Sequence, residues 1–190
     1  MAIVVTGTPG VGKTTVAKRL AEKLGASYLN LAELVISEKL YTGYDSEYES
    51  YIVDTARCRE YLDRLLSCRE VLDTHVIEAV PAQRVKLVVV LRLDPLQLKE
   101  RLRQRGYRGA KLRENVEAEV LGLLSAEAVA LFGEDRVCEV DVSGRGVEET
   151  VELLLTLKRD GSLLRRFKAG TVDWLEKYYW VLEMEDSFWS

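Results

Sequence analysis

The chain contains 190 residues, of which 47% are hydrophobic and 31% charged, a composition typical of a folded globular protein. Its formal net charge of −4 argues against a generally basic nucleic-acid-binding protein, although local basic patches and direct RNA contact are left open. No stretch is long and apolar enough to span a membrane, and no signal-peptide pattern is visible, so a cytoplasmic protein is expected.

The three cysteines are odd in number and show no C-x-x-C spacing. Cys58, Cys68 and Cys138 are therefore interpreted as reduced, buried residues of a cytosolic protein. A zinc site or a disulfide framework would need a different pattern.

The first predicted element is a strand that leads into a phosphate-binding loop. Residues 2–6 (AIVVT) are apolar and β-branched, as a buried parallel strand should be. Residues 7–14 (GTPGVGKT) match the pattern G-x-x-x-x-G-K-[ST]. Apolar residues then recur at helical spacing up to Gly25, a natural C-terminal stop. Because strand, loop and helix follow in the required order, the pattern predicts a phosphate site rather than a glycine-rich turn before an ordinary helix.

The residue types of this loop indicate ATP and Mg²⁺ as ligands. Glycines let successive backbone N–H groups curl around phosphate oxygens, and the helix aims its positive dipole end at the same phosphates. Lys13 is predicted to reach the β- and γ-phosphates, and the hydroxyl of Thr14 to bind Mg²⁺.

The next stretch contains a short strand, a helix and an irregular segment. The sequence predicts a strand over residues 27–31 and a helix over residues 32–39. Residues 41–51 mix tyrosines with acids and lack periodicity, so they are predicted to form a mobile recognition loop. Asp54 is a predicted N-cap for a helix that runs to about Leu66.

Strands continue to alternate with helices up to about residue 160. Predicted strands cover residues 70–76, 86–93 and 136–142, and predicted helices cover residues 95–104, 111–132 and 147–158. This alternation is typical of a three-layer α/β domain with a parallel sheet, whose ligands bind at the C-terminal ends of the strands. Residues 1–160 are therefore predicted to form one kinase-like domain, and residues 161–190 a C-terminal extension.

Two polar residues lie at the C-terminal end of the strand predicted over residues 70–76. Asp73 and His75 are two residues apart, so on a strand their side chains would share one face. We expect Asp73 to hold Mg²⁺ directly or through water. His75, the only histidine, could place the attacking water or substrate phosphate or act as a proton shuttle, or could instead be a core histidine bonded to the backbone.

Cations are concentrated just before and after a glycine break. Seven cations fall within fifteen positions: Lys99, Arg101, Arg103, Arg105, Arg108, Lys111 and Arg113. Such a run favours an anionic partner, because like charges repel and arginine binds phosphate oxygens bidentately. Arg105 and Arg108, at the break, are predicted to be functional, and the earlier cations to form a solvated helix face.

Two loop arginines are further candidates. Arg84 could bind an acceptor phosphate or be an exposed loop residue. Arg145, in the turn after the last strand, could stack on adenine or belong to a plain turn.

The C-terminal tail has a different composition, because it contains all three tryptophans. Asp173 is a predicted cap for a short helix with an apolar, aromatic face. Either this helix covers a patch of the domain, or it presents an aromatic surface to a partner.

Together these stretches resemble the adenylate kinase isoenzyme 6 family, small broad-specificity nucleotide kinases that also serve as small-subunit ribosome assembly factors in archaea and eukaryotes. The match covers roughly residues 1–158. Its motifs are residues 6–15 (TGTPGVGKTT), 40–48 (LYTGYDSEY), 73–75 (DTH), 88–92 (VVVLR), 105–107 (RGY) and 114–119 (ENVEAE). Residues 76–80 (VIEAV) depart from the family pattern, which puts the shape of the acceptor pocket in question.

The resemblance implies a role for each motif. A monophosphate-binding segment would span residues 30–53 and a short lid residues 104–114. The expected substrate contacts are Tyr41, Gly43 and Tyr44, with Arg84 on the acceptor phosphate. The expected ATP contacts are Gly10, Gly12, Lys13, Thr14, Thr15, Arg105 and Arg145. Asp73 would be the Walker B carboxylate, and His75 would be tied to ATPase activity.

Three functions remain as hypotheses. The first is an Mg²⁺-dependent nucleoside monophosphate kinase that converts ATP and AMP to two ADP, with Lys13, Asp73, His75, Arg105 and Arg108 as catalytic residues. The second, implied by the resemblance, is an ATP-switched factor that grips ribosomal protein S11 during maturation of the small ribosomal subunit and its rRNA. The third is a kinase of a small metabolite, because fold alone does not fix function.

Overall fold

A five-stranded parallel sheet forms the centre of the molecule and places the phosphate-binding loop at its C-terminal edge. The computed structural model describes residues 1–46, 48–67 and 69–189. The strands are β1 (Ala2–Thr6), β2 (Ser27–Asn30), β3 (Tyr41–Asp45), β4 (Ser50–Val53), β5 (Glu70–Asp73), β6 (Val85–Arg92) and β7 (Val137–Asp141). The central sheet has the order β2-β5-β1-β6-β7, and each neighbouring pair is parallel.

Helices cover both faces of this sheet. They are α1 (Lys13–Leu24), α2 (Leu31–Ser37), α3 (Thr55–Leu65), α4 (Pro95–Gln104), α5 (Gly109–Leu121), α6 (Leu123–Phe132), α7 (Val147–Arg159) and α8 (Trp174–Tyr178). Asp54 and Asp94 accept backbone N–H bonds at the starts of α3 and α4, as predicted for N-caps. Gly25 ends α1 with a left-handed φ of 58°.

Alternate residues of β1 supply two hydrophobic clusters. Ile3 and Val5 face a cluster that includes α1, α4, α5, α7 and the tail, whereas Ala2 and Val4 face a cluster with α2, α3 and α6. Because all of β1 is buried on both faces, its near-continuous apolar sequence is explained. The predicted three-layer α/β architecture is confirmed.

Residues 41–51 were expected to form a mobile loop, and that prediction is wrong. Among the described residues, β3 and β4 form an antiparallel hairpin with Tyr41 opposite Val53 and Tyr44 opposite Tyr51. Glu47 lies outside the described residues. None of the described strand residues of this hairpin is fully buried, although Tyr41 and Val53 pack against the edge of the core. It carried no hydrophobic alternation that the sequence could reveal.

Two other boundaries differ from the predictions. The helix expected over residues 111–132 is broken into α5 and α6 at Gly122, whose φ is 65°. The strand expected over residues 70–76 ends at Asp73, so His75 lies in the turn that follows and not on the strand.

The C-terminal tail packs onto the domain. Lys168 forms an isolated antiparallel bridge with Cys138 of β7. Asp173 caps α8 by accepting the backbone N–H of Glu176, as predicted. Tyr178, Val181 and Trp189 join the hydrophobic cluster that also contains α1 and α7. This packing supports the interpretation that the tail covers the domain.

The remaining composition-based predictions concern cysteines and membrane spans. Cys58 and Cys138 are buried free thiols, and Cys68 lies outside the described residues. Over the described ranges, no helix combines the length and hydrophobicity needed to cross a bilayer.

Candidate active site

The loop between β1 and α1 has the backbone geometry of an anion-binding nest. Gly7, Gly10 and Gly12 have φ values of 142°, 97° and 108°, which side-chain-bearing residues rarely adopt. A Cβ at Gly7 would collide with the carbonyl oxygen of Leu91, whereas at Gly12 it would meet nothing within 4 Å. Gly7 therefore lets the loop sit close to β6, and Gly12 leaves open space beside the first turn of α1. The first N–H groups of α1 have no intrahelical partner and are available to phosphate oxygens.

Lys13 lies at the floor of the loop with its ammonium group held by the protein. Its Nζ donates to the carbonyl oxygen of Thr8 at 3.3 Å. Desolvation is the largest influence and lowers the pKa of Lys13 to about 8, with Arg105 acting in the same direction and Asp73 opposing it. An amine that is surrounded by protein and short of counter-charge is ready to receive an anionic ligand.

Asp73 gathers three donors at the end of β5. Its Oδ2 accepts hydrogen bonds from the hydroxyl of Thr14 at 2.6 Å, from the hydroxyl of Tyr28 at 3.0 Å and from Nδ2 of Asn30 at 3.4 Å. Strand pairing explains this convergence, because Asn30 of β2 lies opposite Asp73 in the parallel register. Burial and the neighbouring carboxylate raise the pKa of Tyr28 to about 12, so its hydroxyl remains a donor at neutral pH.

His75 lies at the wall of the same cleft. Its ring is exposed to the cleft, although protein groups surround it and lower its pKa, by desolvation first and by Lys13 second. The imidazole is therefore mostly neutral at neutral pH, the form that can accept a proton or orient a water molecule. As predicted, His75 lines the same cleft as Asp73. The two residues do not share a strand face, however, because β5 ends at Asp73 and His75 lies in the turn that follows.

The β3–β4 hairpin and α5 face each other across the opening. The hydroxyl of Tyr48 donates to Glu114 at 2.7 Å, and Nζ of Lys111 donates to the carbonyl oxygen of Tyr48 at 2.6 Å. Tyr41, Tyr44 and Tyr51 form an aromatic cluster, with ring centroids 4.4 and 5.3 Å from Tyr51. The hairpin tip therefore contacts the part of α5 that lies within the predicted lid, residues 104–114.

These groups enclose one cleft of about 1090 Å³. Of the sequence-predicted residues, those that line it are Gly10, Lys13, Thr14, Tyr44, Asp73, His75 and Arg105. Its cations, among the described lining residues, are Lys13, Arg105 and Lys111. Of the run that departs from the family pattern, only Val76 reaches the cleft, while Ile77 and Ala79 are buried in the core.

Comparison with known proteins places the chain in a family. A family model described as an AAA domain matches residues 3–122, from β1 to the end of α5. A Methanocaldococcus jannaschii protein named "Putative adenylate kinase" is 36% identical over 188 residues, which cover 97% of this chain and 99% of the relative. A protein of the same name from Thermococcus kodakarensis is 43% identical, over 96% of this chain and 97% of the relative. Another from Saccharolobus solfataricus is also 43% identical, over 86% of each chain. The chain belongs to the family of these archaeal proteins named "Putative adenylate kinase".

The sequence similarity to these relatives is not confined to the phosphate-binding domain. Because the alignment with the M. jannaschii relative covers 97% of the chain, it includes most of the C-terminal tail. The sequence interpretation had placed this tail outside the family core.

Solved structures with lower identity share the fold. A shikimate kinase from Acinetobacter baumannii superposes with a TM-score of 0.63 at 19% identity, covering 85% of this chain and 94% of that one. A deoxyadenosine kinase from M. mycoides gives 0.54 at 16% identity, covering 84% and 100%. The family member described here therefore has the fold of phosphate-loop kinases.

Several predicted site residues do not line the cleft. Arg84 lies on the outer surface, where it pairs with Asp63 at 2.9 Å. Arg108 donates to the carbonyl oxygens of Arg103 and Tyr107, and Arg145 pairs with Glu149 at 2.6 Å. The other predicted residues that do not line the cleft are Gly12, Thr15, Tyr41 and Gly43.

Sequence reasoning also missed residues that the structure places in the site. Tyr28 and Asn30 contact Asp73, and Asn30 also caps α2 through its Oδ1. A polar residue at the end of a predicted parallel strand was the available signal for Asn30. Arg101 donates to the carbonyl oxygen of Val11 in the loop at 3.3 Å, although its run of cations had been interpreted as solvated.

The residues present in this family member fit ATP and Mg²⁺. The loop supplies open space and free amides for phosphates, and the paired oxygens of Thr14 and Asp73 are the hard donors that Mg²⁺ prefers. Within the described ranges, no group of three or more His, Cys, Asp or Glu side chains could hold a metal alone. A magnesium ion here would depend on these two residues together with the phosphates of the nucleotide, as is usual for this ion.

Proposed function

We propose that this protein is a nucleoside monophosphate kinase that transfers the γ-phosphoryl group of ATP to AMP. The observation that carries the proposal is the single cleft in which Lys13, the Thr14–Asp73 pair and Arg105 face an aromatic hairpin. The names of the relatives at 36–43% identity support the same reaction class.

Charge neutralisation and positioning supply the chemistry of this reaction. An acceptor phosphate oxygen attacks the γ-phosphorus, and the bond to the bridging oxygen of ADP breaks. Lys13 and the loop amides hold the donor phosphates, and Arg105 faces the charge that develops during transfer. Mg²⁺ held by Thr14 and Asp73 would neutralise the β- and γ-phosphate oxygens.

Lys111 is the best candidate to bind the acceptor phosphate. Arg84 was expected in this role but is engaged with Asp63 outside the cleft. Lys111 lines the cleft beside the hairpin, and its Nζ is fixed by the carbonyl oxygen of Tyr48. The hairpin tyrosines Tyr44 and Tyr51 offer aromatic surface to a nucleobase.

A second function is favoured by the composition of the acceptor half. The described lining residues contributed by α2 and the hairpin include no cation. Because α2 and the hairpin add no cation to Lys111 of α5, the acceptor half is weakly basic and suits water, and His75 stands where it could orient that water. An ATP-hydrolysing switch in maturation of the small ribosomal subunit, binding ribosomal protein S11 through the acidic and aromatic hairpin, is therefore the alternative.

Product analysis distinguishes the two functions. Purified protein with Mg²⁺ and ATP would be incubated with and without AMP, and the nucleotides and free phosphate separated and quantified. A kinase consumes ATP and AMP equally and releases no phosphate. A switch releases phosphate regardless of AMP and loses this activity in His75→Ala. Lys13→Met should abolish either reaction, and retention of full activity by this variant would refute both.

A further inference from the structure

A buried ion triad lies behind the phosphate-binding loop. Arg92, at the end of β6, donates to Glu119 of α5 at 2.7 Å and to Glu139 of β7 at 2.8 Å. The three side chains are 3%, 2% and 1% exposed. Such a triad contributes little net stability compared with apolar residues, because desolvation offsets much of the attraction. Net stability therefore does not explain why these three charged side chains are buried here.

One end of the triad holds the loop. The hydroxyl of the buried Thr8 donates to Oε2 of Glu119 at 2.6 Å, while Oε1 accepts from Arg92 and from the backbone N–H of Leu93. The carbonyl oxygen of Thr8 in turn accepts Nζ of Lys13. Glu119 thus fixes the residue that orients the phosphate-binding lysine.

The other end holds the C-terminal tail. Oε2 of Glu139 accepts the backbone N–H groups of Gly170 at 2.9 Å and Val172 at 3.1 Å. Arg92 also donates to the carbonyl oxygen of Val172 at 3.3 Å. The tail backbone therefore completes the coordination of the triad.

We propose that Glu119 is a positioning residue for the phosphate-binding loop, and that docking of residues 170–172 completes the buried chain Thr8–Glu119–Arg92–Glu139. Nucleotide affinity then depends on the docked tail, and release of the tail weakens ATP binding. This inference rests on ATP binding at the loop, the first step of the proposed function.

The loop end is tested with two substitutions of Thr8. Thr8→Val keeps the shape but removes the donor, and Thr8→Ser keeps the hydroxyl. Because the bond joins a hydroxyl to a buried carboxylate, Thr8→Val should raise the Kd for ATP by roughly tenfold or more. Thr8→Ser should restore affinity to within about twofold, a rescue that bulk destabilisation would not produce. Equal affinity of Thr8→Val and the wild type would overturn the role of Glu119.

The tail end is tested in the unmodified protein by amide hydrogen exchange. Coupling is reciprocal, so saturating Mg²⁺ and ATP should slow exchange at Gly170 and Val172. The amide of Ser162, which is bonded to Asp160 outside the triad, serves as the control and should not change. Unchanged exchange at Gly170 and Val172 would overturn the tail connection.

A matched pair of variants checks the coupling between the two ends. Glu139→Gln removes one charged acceptor of the triad and should weaken ATP binding non-additively with Thr8→Val. Glu117→Gln, on the same helix as Glu119, only breaks a pair with Arg113 and should leave the Kd unchanged. If wild-type protein binds ATP but the double variant shows additive losses, the coupling is wrong. If the wild type binds no ATP, the proposed function fails first.

Discussion

At the scale of single residues, Lys13 shows how a binding site can oppose folding. Its ammonium group is enclosed by protein, and desolvation lowers its pKa from 10.5 to about 8. An unliganded protein therefore carries a destabilising charge that Asp73 and Glu119 offset only in part and that a bound phosphate would compensate.

Lys13→Met should consequently raise stability while abolishing ATP binding. Removal of the desolvated charge is expected to contribute about 2 kcal/mol at pH 7, allowing for partial exposure of the side chain, or roughly 4–8 °C in Tm. Thermal unfolding with and without Mg²⁺ and ATP measures both effects. A lower Tm for the ligand-free variant would contradict the assignment.

The pH dependence of this effect has a defined sign. Because the folded-state pKa lies below the unfolded value, the unfolded chain binds the proton more tightly between about pH 8 and 10.5. The wild type should gain stability relative to Lys13→Met as pH rises through this window. Urea titrations of both proteins at pH 7, 8.5 and 10 would detect convergence of their free energies of unfolding.

Substitution of Tyr28 tests whether the hydrogen bonds around Asp73 matter for turnover. Tyr28→Phe removes only the hydroxyl that donates to Asp73 at 3.0 Å. We expect turnover to fall about three- to tenfold with little change in Tm, because one neutral donor no longer fixes the carboxylate. Tyr61→Phe is the control and should retain full turnover, because Tyr61 is partly buried against the core cluster on the other side of the sheet.

At the scale of elements, the contact between the hairpin and α5 makes Lys111 the residue to substitute in a test of acceptor-phosphate binding. The sequence had favoured Arg84 for this role. Lys111→Met should raise KM for AMP at least about tenfold while leaving KM for ATP nearly unchanged, since an acceptor-phosphate contact is charge-assisted. Arg113→Met removes a cation two residues away that pairs with Glu117, and should change neither constant. Equal effects of both substitutions would indicate general electrostatics rather than a specific contact.

The sequence predicted the elements of the central sheet because β1 and β6 are buried on both faces and α1, α3 and α4 carry capping residues. It could not predict the hairpin, which lacks a buried face, or the break at Gly122 inside a continuous run of helix-forming residues. In the site, local motifs predicted Lys13, Thr14 and Asp73. The positions of Arg84 and Lys111 depend on tertiary packing, which a motif does not encode.

Two features of Gly122 explain why a side chain is unfavourable at the break between α5 and α6. Its φ is 65°, and a Cβ would lie 3.3 Å from Nη1 of Arg92, which two carboxylates hold in place. Gly122→Ala should cost about 2 kcal/mol, or roughly 4–8 °C in Tm. Gly25→Ala is the matched control, because Gly25 also ends a helix at positive φ but has open space around it. The difference between the variants isolates the contact with Arg92, and identical losses would leave strain alone as the cause.

At the scale of the whole molecule, the tail has one aromatic face that packs on the domain and one that is exposed. Trp189 is 1% exposed and packs against Phe188, whose ring lies 3.2 Å from Nζ of Lys99 on α4. Tyr179, by contrast, is 60% exposed. The sequence showed an aromatic tail but could not say which rings meet the domain, because that depends on where the chain returns after β7.

Trp189→Ala and Tyr179→Ala therefore separate the two interpretations of the tail. Truncating the buried ring should cost about 3 kcal/mol, or roughly 6–12 °C in Tm, because it leaves a cavity where the end of the tail packs against α5. Truncating the exposed ring should change stability by less than about 0.5 kcal/mol. If Trp189→Ala unfolded like the wild type, the tail would not be part of the core, and the buried chain from Glu139 to the phosphate-binding loop would lose its anchor. A loss confined to Trp189→Ala, accompanied by weaker ATP binding, would show that one C-terminal segment both closes the hydrophobic core and supports the nucleotide site.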